Sequence, residues 1–165
     1  MQSLELVAAP VAAAACEGAL SGASVAEIDP TLSDTEAFCE AYDVDPAVCG
    51  NCVVVHGRRG ENETDAAVVV LGTDRADVNR TVRKQLGVRK ISFADQSATE
   101  RTTGMTSGGI TPVGLPAGWP ILIDRRVVVC DAVVIGAGTR GAKLLVAGGE
   151  LAEIHGADVL DLRVE

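Results

Sequence analysis

Between Gly104 and Gly118 the chain reads GMTSGGITPVGLPAG, and seven of these fifteen residues are glycine or proline. No regular helix or strand runs through such a stretch, so the fold has to be assembled on either side of it. Glycine permits positive φ and lets backbone N–H groups approach a ligand with no Cβ in the way. Pro112 and Pro116 stiffen the path, and Ile110, Val113 and Leu115 supply apolar anchors that a floppy linker would lack. The expectation is a rigid main-chain wall beside a small ligand. A second glycine turn, Gly136-Ala137-Gly138-Thr139-Arg140-Gly141, falls between two apolar runs and is expected to form the opposite wall. It is not a phosphate-binding P-loop, because no Gly-Lys-Ser/Thr follows and no long helix opens after it. On chemistry alone, two ordinary hairpin turns explain the same glycines.

The flanks read as short elements. A helix through Val7–Leu20, interrupted by Pro10, forms an N-terminal helical segment within residues 1–30. Ser33-Asp34-Thr35-Glu36 and Ser97-Ala98-Thr99-Glu100 have the form of capping boxes, each opening a short helix. Thr73 is expected to cap a helix from Arg75 to Leu86, stopped at Gly87. The runs Cys52–His56, Ala66–Leu71, Lys90–Phe93, Ile121–Asp124, Val127–Gly136, Ala142–Val146 and Asp158–Leu162 read as strands, with a hairpin loop over Gly57–Thr64 and a helix over Gly149–His155. Strands predominate after residue 50 and the helices between them are short. The pattern predicts one α+β domain over residues 1–165, a curled mixed sheet with helices outside it rather than a doubly wound parallel sheet.

Composition narrows the function. Aromatic residues are 2% of the chain, namely Phe38, Tyr42, Phe93 and Trp119, too few to stack a row of bases. Trp119 reads as a plug at one end of the sheet, and His56 as a surface histidine. The net charge is −9, and residues 1–57 hold nine acids with no Lys or Arg. A field of that sign repels phosphate, so bulk binding to DNA is not expected and any RNA contact is local. The cluster Arg80, Arg83, Lys84, Arg89 and Lys90 is the candidate for such a contact. A solvated helix face and strand edge is its plainer reading. The apolar start from Leu4 lacks a basic leader region and carries Glu5, and no stretch is long enough for a membrane span, so a cytoplasmic chain is expected. Five irregularly spaced cysteines do not suggest a disulfide framework. The lone Cys49-Gly50-Asn51-Cys52 lacks the further ligands a zinc site needs, so neither metal nor cofactor is expected.

The run Thr103-Gly104-Met105-Thr106-Ser107-Gly108-Gly109-Ile110-Thr111-Pro112-Val113-Gly114 resembles the signature of the YbaK/EbsC/ProX editing domains associated with prolyl-tRNA synthetase. The likeness continues through Ile121–Asp124 and the turn Gly136–Gly141 to Leu151, and backwards through Thr35–Val44. It implies a barrel-like curled sheet with flanking short helices. It implies hydrolysis of a mischarged tRNA, such as Cys- or Ala-tRNA for proline, with the tRNA acceptor end as ligand and an aminoacyl-tRNA synthetase as partner. Gly104, Thr106, Ser107, Gly108, Gly109, Ile110, Thr111, Pro112 and Gly114 would then hold the aminoacyl group and terminal adenosine, joined by Gly138 and Arg140. Backbone N–H groups would stabilise the oxyanion, and the substrate's own ribose hydroxyl would help position the water.

Three positions depart from the family pattern. Its lysine at a strand entry corresponds to Asn51, the serine that often opens the second turn to Gly136, and a carboxylate that often follows the turn to Lys143. If these positions line one pocket, Lys143 supplies the missing ammonium from a new place, and Asn51, Gly136 and Lys143 become the candidate catalytic set. The plain alternative makes Lys143 a surface lysine on an edge strand. At the level of function, the alternative is a catalytically degenerate module that binds an aminoacyl-tRNA or a related aminoacyl nucleotide.

Overall fold

A computed structural model describes residues 3–164. It contains a five-stranded sheet in the order β4-β2-β3-β5-β8 and a three-stranded sheet in the order β1-β7-β6. The larger sheet is built from β2 (Gly50–Arg59), β3 (Asn62–Leu71), β4 (Lys90–Phe93), β5 (Ile121–Asp124) and β8 (Ala157–Leu160). β4, β2 and β3 are antiparallel, while β5 and β8 add in parallel. The smaller sheet, β1 (Ser24–Glu27), β6 (Val133–Gly136) and β7 (Ala142–Val146), is antiparallel throughout. A single parallel bridge, Cys49 to Val134, links the two. The sheets do not close into the expected barrel, and Trp119, expected to plug an end of one, sits half-buried between two surface grooves.

The core follows from the period-two pattern of β3. Ala67, Val69 and Leu71 face one cluster, and Ala66, Val68 and Val70 face another. A strand buried on both faces needs apolar residues at every position, which this one has. The first cluster fills the space between the sheets with Ile135, Leu144 and Val146. The second is covered by Val82 and Leu162.

Helices lie around the sheets: α1 (Ala9–Cys16), α2 (Thr35–Tyr42), α3 (Arg83–Gln85), α4 (Gln96–Thr103), α5 (Arg125–Val128) and α6 (Gly148–Ala152). Pro10 does not interrupt α1 but opens it, since the first turn has no use for its missing N–H. Each expected serine or threonine cap is displaced by an aspartate. Asp95, not Ser97, accepts the Ala98 N–H at 2.8 Å, and Asp34 precedes α2 in place of Ser33. Asp77, not Thr73, caps Val78–Val82, a turn wound wide by the bond from Val82 N–H to the Asp77 carbonyl, before α3. The hairpin loop expected over residues 57–64 is strand except for the tight turn at Gly60-Glu61.

The strand expected over Val127–Gly136 begins only at Val133. Buried Asp124 ends β5 by accepting the Arg126 N–H at 2.9 Å and the Leu162 N–H at 2.8 Å, which turns the β-branched run into α5. Helix α6 ends three residues earlier than expected, at Ala152, and β8 starts at Ala157. No helix among the described residues is long and apolar enough to cross a membrane.

Candidate functional site

β7 is the middle strand of its sheet, and Lys143 on it lies opposite Ala26 of β1 and Gly136 of β6. An edge-strand surface lysine is therefore ruled out. Lys143 is only 8% exposed. Its Nζ donates to the Ser33 carbonyl at 2.7 Å and sits 5.3 Å from the centre of the Phe38 ring. These contacts part-compensate an ammonium that has lost most of its water. Burial pulls the Lys143 pKa below its ordinary 10.5. The carboxylate of Asp34 opposes that shift, and Arg140 adds to it.

Lys143 borders a cavity of about 260 Å³. Gly50, Asn51 and Cys52, at the start of β2, form one side. Ser33, Asp34 and Thr35, at the entrance of α2, form a second, and Ser107, Gly108 and Ile110 a third. Gly136 and Lys143 complete it. Two distant glycine stretches and the strand entry thus converge on one space.

The glycine loops do not face one another as opposite walls. They lie side by side in direct main-chain contact. The Gly138 N–H donates to the Gly109 carbonyl at 2.7 Å, and the Thr106 N–H to the Gly138 carbonyl at 2.9 Å. A Cβ at Gly109 would collide with the Thr139 backbone, and one at Gly136 with the carbonyls of Gly109 and Ile110. The glycines serve first to let the loops touch. The lead-in to α1 braces the pair: the Ala8 N–H donates to the Ala137 carbonyl at 3.0 Å, and the Thr139 hydroxyl to the Leu6 carbonyl at 3.0 Å. The Ser107 N–H is taken by the Glu100 carboxylate at 2.8 Å, which holds that carboxyl below its usual pKa. The N–H groups of Gly108 and Ile110 make no hydrogen bond among the described residues.

The other sequence candidates have structural places. Gly104 ends α4 in the left-handed region. Thr111 is fully buried with its hydroxyl unpaired among the described residues. Pro112 and Gly114 line a different cavity. Gly138 packs against Ala8. Arg140 is spent as a clamp: its Nε donates to the Pro30 carbonyl at 3.1 Å, its Nη1 to the Ser107 carbonyl at 3.2 Å, and its Nη2 lies 3.7 Å from Asp34.

Ser33, Asp34 and Thr35 were hidden in the sequence because they read as a helix cap. Ser33 caps nothing. It is 1% exposed, and its hydroxyl has no partner among the described residues. Cys49 sits beside Cys39, with sulfurs 3.4 Å apart, rather than acting with Cys52. Burial pushes the thiols of Cys49 and Cys52 each up to about 12, so both stay protonated and neither is a ready nucleophile.

A larger cavity, about 870 Å³, runs between residues 112–121 and the α6–β8 segment. Its charged lining is Glu17, Glu150, Glu153 and Asp158, without lysine or arginine, so it repels a phosphate-bearing ligand. The smaller cavity alone gathers Asn51, Gly136 and Lys143, and the chemistry points there.

Comparison with known proteins places this geometry. Residues 29–154 match the model of the aminoacyl-tRNA editing domain. The chain is 28% identical over 102 residues to EbsC of Enterococcus faecalis, a candidate Cys-tRNA(Pro)/Cys-tRNA(Cys) deacylase, an alignment that takes in 56% of this chain and 62% of EbsC. The solved structure of a candidate trans-editing enzyme for prolyl tRNA synthetase superposes with a TM-score of 0.76 at 22% identity, over 91% of this chain and 95% of that one. A scaffold used for computational epitope grafting superposes with a TM-score of 0.81 at 22% identity over the whole of both chains. The family model spans both glycine loops, the entrance of α2 and the start of β2, every element that lines the cavity: the chain belongs to the aminoacyl-tRNA editing domain family, the YbaK/EbsC family.

Proposed function

We propose that the chain is an aminoacyl-tRNA deacylase acting in trans, which hydrolyses the ester joining a small amino acid to the terminal ribose of a mischarged tRNA. The observation that carries this reading is the Lys143 ammonium, 8% exposed, at a cavity of about 260 Å³ also lined by Gly108 and Ile110, whose N–H groups make no hydrogen bond among the described residues. Attack of water on an ester carbonyl puts negative charge on the carbonyl oxygen. Fixed donors in a partly dry site stabilise that charge without having to reorganise, and one such donor is typically worth about 10²–10³ in rate. Lys143 and the two amides fit that role. Collapse of the tetrahedral species breaks the bond to the ribose oxygen, which takes up a proton, and free amino acid and uncharged tRNA leave.

The cavity has no histidine, and its one carboxylate, Asp34, is engaged by Arg140. As the family resemblance implies, the substrate's own ribose hydroxyl helps position the water, and Asn51, which lines the cavity, is the side chain assigned to hold that hydroxyl or the carbonyl. The volume suits an amino acid side chain of modest size and leaves the terminal adenosine outside, since pockets for larger ligands run to about 300–1,000 Å³. The acceptor end of tRNA is the proposed ligand, and a synthetase the proposed partner.

Asn51 brings no charge and Gly136 no hydroxyl, which favours a second reading as a binding module for aminoacyl-tRNA. Incubating the purified chain with tRNAs mischarged with alanine, cysteine, serine and larger residues, and scoring ester loss, separates the two. Loss of the small-residue esters above the uncatalysed rate supports the deacylase. Tight binding with every ester intact supports the module.

A further inference from the structure

Half of the chain's 14 basic residues gather far from the candidate site, at the opposite end of β2. Arg80, Arg83, Lys84 and Arg89, with Val88, line a cleft of about 550 Å³. All four cations are exposed, and none forms an ion pair among the described residues. The corner is built, not accidental. Val88 packs over Gly57, where a Cβ would lie 2.9 Å from its methyls. The Arg89 N–H donates to the Arg58 carbonyl at 2.9 Å, Arg59 Nη1 to the Gly87 carbonyl at 3.3 Å, and Lys90 pairs with Arg58 across β2 and β4. The acids at its edge are Glu63, opposite Arg58 in the hairpin, Glu61 in the turn, Asp77, which caps the turn carrying Arg80, and Asp158, which accepts from Gln85 Nε2 at 3.3 Å. In a protein of net charge −9, this surface attracts anions while the rest repels them.

We propose that this corner docks the phosphodiester backbone of RNA, and specifically the acceptor stem of the tRNA whose end enters the Lys143 cavity. The choice of RNA as occupant rests on the editing reading; the affinity of the corner for a polyphosphate does not. Three forked guanidiniums and an ammonium on one open cleft match successive phosphates, which arginine binds bidentately. Asn51 and Arg58 lie on the same strand, seven residues apart, a span of about 23 Å at the usual strand rise. That distance carries a duplex several base pairs beyond a single-stranded end held at the cavity.

The test is binding of a labelled RNA hairpin bearing an acceptor-stem duplex and a CCA end, measured over a series of salt concentrations. Arg80→Gln/Arg83→Gln/Arg89→Gln is expected to weaken binding at least about tenfold at low salt and to make the log–log salt slope shallower by about 2–3. Arg75→Gln/Arg101→Gln/Arg163→Gln, with the same change in charge elsewhere, is expected to bind less than about twofold differently from wild type. Should the corner triple variant fail to fold, the three single variants carry the test, each expected to change the slope by about 1. Equal binding by wild type and corner variants overturns the proposal, as does competition by polyglutamate as effective as that of RNA of equal charge. Hydrolysis of an aminoacyl-adenosine, which has no stem, is expected to be the same in wild type and corner variants. If wild type cleaves no ester at all, the editing reading falls and the hairpin titration still decides the corner.

Discussion

Gly136 stands where the family resemblance implies a serine, yet its position has no room for a side chain, because the Gly109 and Ile110 carbonyls lie against it. Restoring the hydroxyl as Gly136→Ser is expected to lower stability by about 1–3 kcal/mol, the usual cost of overpacking, and to gain no activity; a denaturant melt beside a deacylation assay checks both. Lys143 carries a pH signature of its own. Burial depresses its pKa in the folded chain below 10.5, so between the two values the unfolded chain binds more protons and stability rises with pH. Wild type is therefore expected to gain stability over the alkaline approach to 10.5 relative to Lys143→Met, measured by denaturant unfolding across that interval. If the ammonium acts in catalysis, the alkaline limb of kcat/KM falls in the same interval, below the value of a free lysine.

Elements were legible in the sequence where local chemistry decided them. Ile121–Asp124 and Ala142–Val146 are mostly β-branched or aliphatic runs, Lys90–Phe93 alternates polar with apolar residues, and the ends of all three match the structure. The misplaced helix starts share one cause, the aspartate caps. Asp95 and Asp77 outcompete the serine or threonine beside them, and Asp124 converts the start of an apparent strand into α5. That conversion depends on the Leu162 N–H, which arrives from the far end of the chain and leaves no local trace. Asp124→Ala removes a cap and orphans a buried donor, and is expected to cost about 2–4 kcal/mol by chemical denaturation. Asp95→Ala, at an exposed cap alone, is expected to cost about 0.5–2 kcal/mol. Strand β1 was missed because its alternate residues are mostly exposed, so Ser24–Glu27 carries no apolar period.

At the scale of the molecule, the glycine signature marked one side of the candidate site and left the other side unmarked. Ser107, Gly108, Ile110, Asn51, Gly136 and Lys143 meet at one cavity, and all were visible as candidates. Ser33 and Asp34 were not, since only the packing of α2 against β7 brings the Ser33 carbonyl to the Lys143 ammonium. The charge is divided in the same way: an acidic N-terminal third, a basic corner, and one buried cation, Lys143, at the cavity among the described residues. The proposed hydrolysis depends on that cation acting on an esterified amino acid. The measurement that addresses it is single-turnover deacylation of tRNA mischarged with a small amino acid, by wild type and by Lys143→Ala at matched folded concentration. Ester loss slowed by about 10²–10³ in the variant, with tRNA binding retained, is the expected result. Equal rates in the two proteins would contradict it.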